Sequence, residues 1–192
     1  MEAILVSLAT VAAAEMGDRT QLLALLLAVR YRRPWPILAG ILLATLANHA
    51  IAAALGSWFG GMLTPRLLNA MVGASMLAIA LWTLLPEHLG QASKAHGKGA
   101  FMASLVGFFL AEIGDKTQIA TMALAAGYAS PVAVVAGTTT GMLLADAPVV
   151  LLGQAFAARL PMKPIRYGAA MMFLVLGALF LLEALLGMAL MP

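Results

Sequence analysis

Two seven-residue segments constrain this chain more than anything else in it. Glu15-Met16-Gly17-Asp18-Arg19-Thr20-Gln21 and Glu112-Ile113-Gly114-Asp115-Lys116-Thr117-Gln118 are identical at five of seven positions and conservatively changed at the other two. Each lies near the middle of an apolar run long enough to cross a bilayer, and together they hold four of the eight acidic residues. An ionised carboxylate at mid-membrane costs roughly 2.5–3.5 kcal/mol on insertion scales. The fold must therefore supply these acids with compensating charge, protons or a cation.

The surrounding composition fixes the class. Of 192 residues, 63% are hydrophobic and 10% charged, with a mean hydropathy of +0.99. Such a chain reads as an all-α integral membrane protein. Apolar runs over about 3–29, 35–59, 67–85, 100–126, 132–158 and 165–190 each suit a ~30 Å hydrocarbon core, so six transmembrane helices are expected. No short alternating pattern of a β-barrel is present. The first run has no basic segment before it, contains acids and is about 27 residues long, which reads as a span rather than a cleaved signal. The absence of cysteine excludes disulfides, thiolate metal sites and thiol redox chemistry. The net charge of +3 comes from basic residues in short loops and is no nucleic-acid footprint.

The seven-residue segments are the best part of a longer repeat. At an offset of 97, Ser7-Leu8 matches Ser104-Leu105, Tyr31 matches Tyr128 and Pro34 matches Pro131. Ala39-Gly40 matches Ala136-Gly137, Gly56 matches Gly153, Phe59 matches Phe156, and Arg66 falls opposite Lys163. Two three-helix repeats, 1–86 and 100–192, are thus expected about a polar cytoplasmic connector, 87–99. An odd number of spans per repeat inverts the second half, with a pseudo-two-fold axis in the membrane plane and the substrate site at the repeat interface. One set of loops carries Arg30, Arg32, Arg33, Lys94, Lys98, Arg159, Lys163 and Arg166, against Arg66 alone on the other. The basic side is expected to be cytoplasmic, which leaves both termini outside.

On a continuous helix Glu15, Asp18 and Gln21 would form a slowly turning stripe, as would Glu112, Asp115 and Gln118. Carboxylate and amide oxygens are the ligands of hard divalent cations, so these six side chains are the candidate metal ligands. Thr20 and Thr117 offer hydroxyl oxygens, or bond back to their own helix. Gly17 and Gly114 allow close helix packing, or local unwinding that frees carbonyls. Arg19 and Lys116 compensate charge; each follows a motif glutamate by four, the spacing of an ion pair within one helix. The duplication favours a cation site over a purely structural pair.

His49 in the second span has Asp146 as its repeat counterpart, since 49 plus 97 is 146. Both are further candidates for ligand or proton relay, set against a hydrogen-bonded packing role for His49. Glu15, Asp18, Glu112, Asp115 and Asp146 against Arg19 and Lys116 leave an excess of three negative charges, five less two. A dry interior cannot hold that excess, so protons or a divalent cation must neutralise it, and their competition is the basis of exchange. Asn48 reads as a hydrogen-bonding residue between helices, Glu183 as structural or interfacial, and His88 and His96 as solvated connector residues. The thirteen methionines are spread through all spans and read as packing bulk.

The duplicated Glu-x-Gly-Asp-[Lys/Arg]-Thr-Gln resembles the signature of the MneA-type manganese exporters, bacterial relatives of the Golgi Mn²⁺/Ca²⁺–proton exchangers. The resemblance covers nearly the whole chain. It implies a cation/proton antiporter that expels Mn²⁺, with Ca²⁺ as a second substrate, no prosthetic group and no enzyme activity. It implies a bacterial inner (plasma) membrane rather than an organelle, since no long N-terminal targeting region precedes the first span. Its signature covers Glu15 to Gln21 and Glu112 to Gln118; His49 and Asp146 rest on the repeat alone. The partners expected are the metal ion and the lipid bilayer, and the small size admits a homodimer. A small amino-acid exporter would need fewer central acids, because its substrate brings a carboxylate. An intramembrane aspartyl enzyme needs two Asp sharing a proton; Asp18 and Asp115 qualify, but the Gln residues would then have no role. Five intramembrane acids argue against a passive scaffold.

Overall fold

The computed structural model describes residues 1–84, 99–153 and 162–186, and all their regular structure is helical. In chain order the helices are α1 (Glu2–Glu15), α2 (Arg19–Tyr31), α3 (Pro34–Met62), α4 (Pro65–Leu84), α5 (Ala100–Glu112), α6 (Lys116–Gly127), α7 (Pro131–Leu152) and α8 (Met162–Leu186). Among the described residues four segments are long and apolar enough to cross a membrane: α3, α4, α7 and the 167–186 part of α8. The connector sequence from 87 to 98, with His88, His96, Lys94 and Lys98, lies outside the described residues, as do Arg159 and Phe156.

The first and fourth runs differ from expectation. Each is two helices, broken at the motif, rather than one span over 3–29 or 100–126. Gly17 adopts φ 85° and Gly114 φ 75°, a left-handed conformation that glycine enters at no steric cost. The carbonyls of Glu15 and Glu112 each accept a 3.0 Å hydrogen bond from the Asp three residues on. The chain then re-enters a helix with Asp18 or Asp115 at the N-cap, a residue type favoured there because its carboxylate can accept from an orphan N–H.

Each broken pair lies along the full length of a long helix from the other half. Beside α3, a Cβ on Gly40 would stand 2.6 Å from the Phe101 carbonyl oxygen, and one on Gly56 would stand 2.1 Å from that of Met122. Between them the Asn48 amide donates to the Phe109 carbonyl at 3.0 Å. The α5–α6 pair therefore runs parallel to α3 from end to end. The other pairing uses the equivalent positions. A Cβ on Gly137 of α7 would sit 2.4 Å from the Ile4 carbonyl oxygen and 2.9 Å from the Ser7 Cβ. Gln21 at the start of α2 reaches the Ala145 carbonyl, and Ala24 and Leu27 share an apolar cluster with Val150.

The remaining helices, α4 and α8, cross at glycines. A Cβ on Gly73 would meet the Gly177 carbonyl oxygen at 2.8 Å, and one on Gly177 would meet that of Gly73 at 2.9 Å. The positions 97 away, Ala170 and Ala80, are also small and buried. Small residues let membrane helices approach closely, so that packing stands in for the hydrophobic force that lipid does not provide. The Asn69 amide donates to Glu183 at 3.0 Å and ties α4 to α8, a structural link. Leu5, Trp35, Trp58, Leu81 and Leu185 are exposed, as a bilayer-facing surface requires.

Candidate functional site

The breaks gather the motif residues. Glu15, Asp18, Glu112 and Asp115 are at most 1% exposed. The i,i+3 stripe expected of one helix is not formed, because Glu15 ends α1 and Asp18 caps α2 across the glycine. One oxygen from each of Glu15, Asp18 and Asp115 nevertheless lies within 4.8 Å of the others. Two half-helix C-termini and two N-termini meet around this cluster, so backbone carbonyls and N–H groups add partial charges to those of the side chains.

The cationic residues do not pair within their own helices. Arg19 donates to Asp115 Oδ1 at 2.8 Å and to the Ala111 carbonyl at 3.2 Å. Lys116 reaches Asp18 Oδ1 in return. Each half thus neutralises the aspartate of the other, and Arg19 also satisfies a carbonyl at the end of α5. The i,i+4 ion-pair reading fails because that spacing presumes a continuous helix, which the glycines interrupt. The pairs differ in exposure: the Arg19 side chain is 43% exposed, that of Lys116 only 5%.

The two glutamines serve the backbone. Gln21 Oε1 accepts from the Gly17 N–H at 3.0 Å and Gln118 Oε1 from the Gly114 N–H at 2.7 Å, so each closes its own break. Thr20 donates to Asp18 Oδ2 at 3.2 Å and also contacts Glu15 Oε1. Thr117 donates to Asp115 Oδ2 at 3.3 Å.

The glutamates are held differently. Glu112 accepts from the Thr45 hydroxyl at 2.7 Å and from the Asn48 amide at 3.4 Å. The repeat equivalents of those two donors, 45 plus 97 and 48 plus 97, are Met142 and Ala145, which have no donor side chain. Glu15 Oε2 has no hydrogen-bond partner among the described residues, nor has either oxygen of Asp146 or either ring nitrogen of His49. His49 and Asp146 are both fully buried. Sequence reasoning passed over Thr45, although it stands three residues before Asn48 and so on the same helix face.

The family model described as "Divalent cation/proton antiporter GDT1" matches residues 3–91 and again 100–188. The two matches are offset by 97 at both ends, 100 less 3 and 188 less 91. A Vibrio cholerae protein named "Putative manganese exporter" is 50% identical over 177 residues, which are 92% of this chain and 88% of that one. A GDT1-like protein of Synechocystis is 30% identical over 90% of this chain and 93% of its own length. A GDT1-like protein of rice is 26% identical over 90% of this chain and 70% of its own. No solved structure matches. With membrane-capable helices, a buried carboxylate cluster and a family model that matches both halves, the chain belongs to the GDT1 family of divalent cation/proton antiporters.

Proposed function

We propose that this protein exports Mn²⁺ from the bacterial cytoplasm across the inner membrane in exchange for protons, with Ca²⁺ as a second substrate. The observation that carries the reading is the meeting of the two motifs: three carboxylates within 4.8 Å of one another, drawn from both halves and held by crosswise ion pairs. Glu15, Asp18 and Asp115 are the core ligands. Glu112, Gln21 and Gln118 complete the candidate set from its flanks, with Thr20, Thr117, His49 and Asp146 as further ligands or proton relays. Arg19 and Lys116 compensate charge, and Gly17 and Gly114 provide the unwinding. An all-oxygen cluster suits both Mn²⁺ and Ca²⁺. The manganese preference rests on the name of the Vibrio relative.

The architecture proposed with it is six spans in two inverted repeats, 1–86 and 100–192, about the 87–99 connector. Support comes from the two family-model matches at one offset and from the equivalent helix pairings. The loop charges favour termini on the outer side and a cytoplasmic connector; a homodimer accords with the small size. Asp18 and Asp115 each have a cationic partner, so a pair of aspartates sharing one proton, as the enzyme alternative requires, gains no support.

In the exchange cycle, protons neutralise the acids when the metal is absent, and the metal displaces them on binding, because ionised oxygens are the good ligands. Proteoliposomes under an imposed pH gradient test this, with Mn²⁺, Ca²⁺ and Mg²⁺ compared. Uphill Mn²⁺ flux with opposite proton movement is expected, and it should stop when an ionophore collapses the gradient at fixed membrane potential. Full uphill flux without proton movement would rule out antiport.

A further inference from the structure

The two halves differ in what covers them. On α6, Ala123 is 7% exposed and shares an apolar cluster with Met76 of α4 and with Phe173 and Phe180 of α8. At the end of α6, a Cβ on Gly127 would stand 3.2 Å from the Phe180 ring. The equivalent positions on α2, 97 earlier, are Leu26, which is 53% exposed, and Arg30, also exposed. The apolar cluster that buries Ala24 and Leu27 of α2 takes in no residue of α4 or α8 among the described residues. Helices α4 and α8 thus cover α6 and leave the equivalent face of α2 bare.

That bare face is apolar along its length and basic at its end. Leu22, Leu26 and Val29 are exposed and stand four and three apart, so they share one side of α2. Beside them runs α5, where a Cβ on Gly107 would meet Leu23 at 3.6 Å and where Leu110 is 61% exposed. With 13 residues α2 is about 20 Å long, enough to run from the middle of a ~30 Å hydrocarbon core to its edge. It starts at the buried motif and ends at exposed Arg30, with Arg32 and Arg33 exposed just beyond. Trp35, in the first turn of α3, is 73% exposed.

Three guanidinium groups therefore leave the chain within four residues. None of them has an acidic partner among the described residues. Arg30 lies over the Tyr31 ring, 5.4 Å from its centroid, a cation–π contact that keeps its charge at the helix end. Arg32 takes a left-handed φ of 52° while its N–H closes α2 on the Ala28 carbonyl at 3.0 Å. That conformation costs an L-residue roughly 1–2 kcal/mol and glycine nothing. The equivalent turn of the other half, from Gly127 to Ser130, carries no charge.

We propose that this face binds an anionic phospholipid, with its phosphate on Arg30, Arg32 and Arg33 and an acyl chain along Leu22, Leu26 and Val29. Guanidinium forks match phosphate oxygens in charge and geometry. Clustered basic residues at a membrane surface gain about 1 kcal/mol each from anionic lipid, and an exposed tryptophan sits at headgroup level. The site is single, because Phe180 closes on the end of α6 where the equivalent one would be. In the orientation proposed above the lipid belongs to the cytoplasmic leaflet. The proposal is independent of which ion is transported.

The test uses the full-length protein in nanodiscs of mixed phosphatidylglycerol and phosphatidylcholine. Trp58→Phe/Trp82→Phe leaves Trp35 as the sole tryptophan of the three. Each lipid in turn is brominated on its acyl chains, so that it quenches a tryptophan it touches. Phosphatidylglycerol should be preferred at Trp35 by at least about fivefold, roughly the contribution of one arginine at an anionic surface. In Trp35→Phe/Trp82→Phe, which reports from Trp58 near the other end of α3, the ratio should be near one. Arg30→Gln/Arg32→Gln/Arg33→Gln should bring the Trp35 ratio near one at unchanged melting temperature, and the corresponding triple Lys variant should keep most of the preference. Equal quenching by the two lipids at Trp35 overturns the site, as does an equal preference at Trp58; neither comparison alters the arginines, so both hold even where the glutamine variant folds poorly. A preference that survives in a folded glutamine variant also overturns it. Loss of the preference on adding inorganic phosphate would assign the turn to the free anion and overturn the lipid.

Discussion

The two halves carry nearly the same motif and the same broken helix, yet they hold their glutamates differently. Glu112 is fixed by two donors from α3, the Thr45 hydroxyl and the Asn48 amide. The positions equivalent to those donors are Met142 and Ala145, which have no donor side chain, and Glu15 keeps one oxygen unpartnered among the described residues. A similar inequality holds for the cations, since the Lys116 side chain is buried where that of Arg19 is partly exposed. The backbone break recurs in both halves and the side-chain chemistry around it does not. In the ion site proposed above, a fixed carboxylate beside a freer one would give the ion a defined seat and leave the freer group to change partners.

The largest expected effect breaks the symmetry of the ion pairs. Lys116→Ala leaves Asp18 buried without its partner charge, which costs about 3–5 kcal/mol in such pairs. Arg19→Ala also leaves a buried aspartate, Asp115, without its cation, but Arg19 itself is partly exposed, so the cost should be smaller, about 1–3 kcal/mol, and Arg19→Lys should be milder still. Thermal unfolding in detergent distinguishes the two. Equal destabilisation by the two alanine variants would show that the exposure difference carries no energetic weight.

The next effect separates the glutamates by role. Glu15→Gln and Glu112→Gln should each reduce Mn²⁺ transport at least about a hundredfold, near 2.7 kcal/mol of barrier, without unfolding the protein. Glu15 belongs to the three-carboxylate cluster and Glu112 does not. Metal binding measured by calorimetry should therefore be lost in Glu15→Gln and be retained, though weaker, in Glu112→Gln. Transport at wild-type rate in either variant would remove that residue from the site.

Much of this was legible in the sequence, and the exceptions share one cause. The duplicated motif identified the residues that meet, and the 97-residue offset matched the helix pairings. The expected continuous spans over 3–29 and 100–126 miss the breaks, although Gly17 and Gly114 admit local unwinding, because the length of a run does not tell a continuous helix from a broken one. Once the helix is broken, spacing along it stops meaning proximity. That is why Glu15 and Arg19, four apart, are not partners, and why Arg19 instead reaches Asp115 across the repeat. Amide oxygens suit hard cations, which makes Gln21 and Gln118 candidate ligands; their bonds to Gly17 and Gly114 are a second role that only the unwound geometry shows. Thr45 escaped notice because a threonine in an apolar helix usually bonds to its own backbone.

The smallest expected effect tests where the halves are alike. Gly17 and Gly114 have φ of 85° and 75°. An L-residue in that region costs roughly 1–2 kcal/mol from the clash of its Cβ with the backbone. A Cβ at Gly114 would meet no atom within 4 Å, so the strain at that position comes from the backbone conformation alone. Gly114→Ala should therefore destabilise the protein by about 1–2 kcal/mol. Gly17→Ala should cost a similar amount, since its φ and its hydrogen bond to the glutamine four residues on are the same. Gly→Asn at either position should cost less, because asparagine tolerates the left-handed region better than alanine. The measurement is the unfolding free energy of the four single variants against wild type. A neutral alanine at position 114 would mean that the break relaxes into continuous helix at no cost, and the carboxylate cluster built around it would then lose its structural basis.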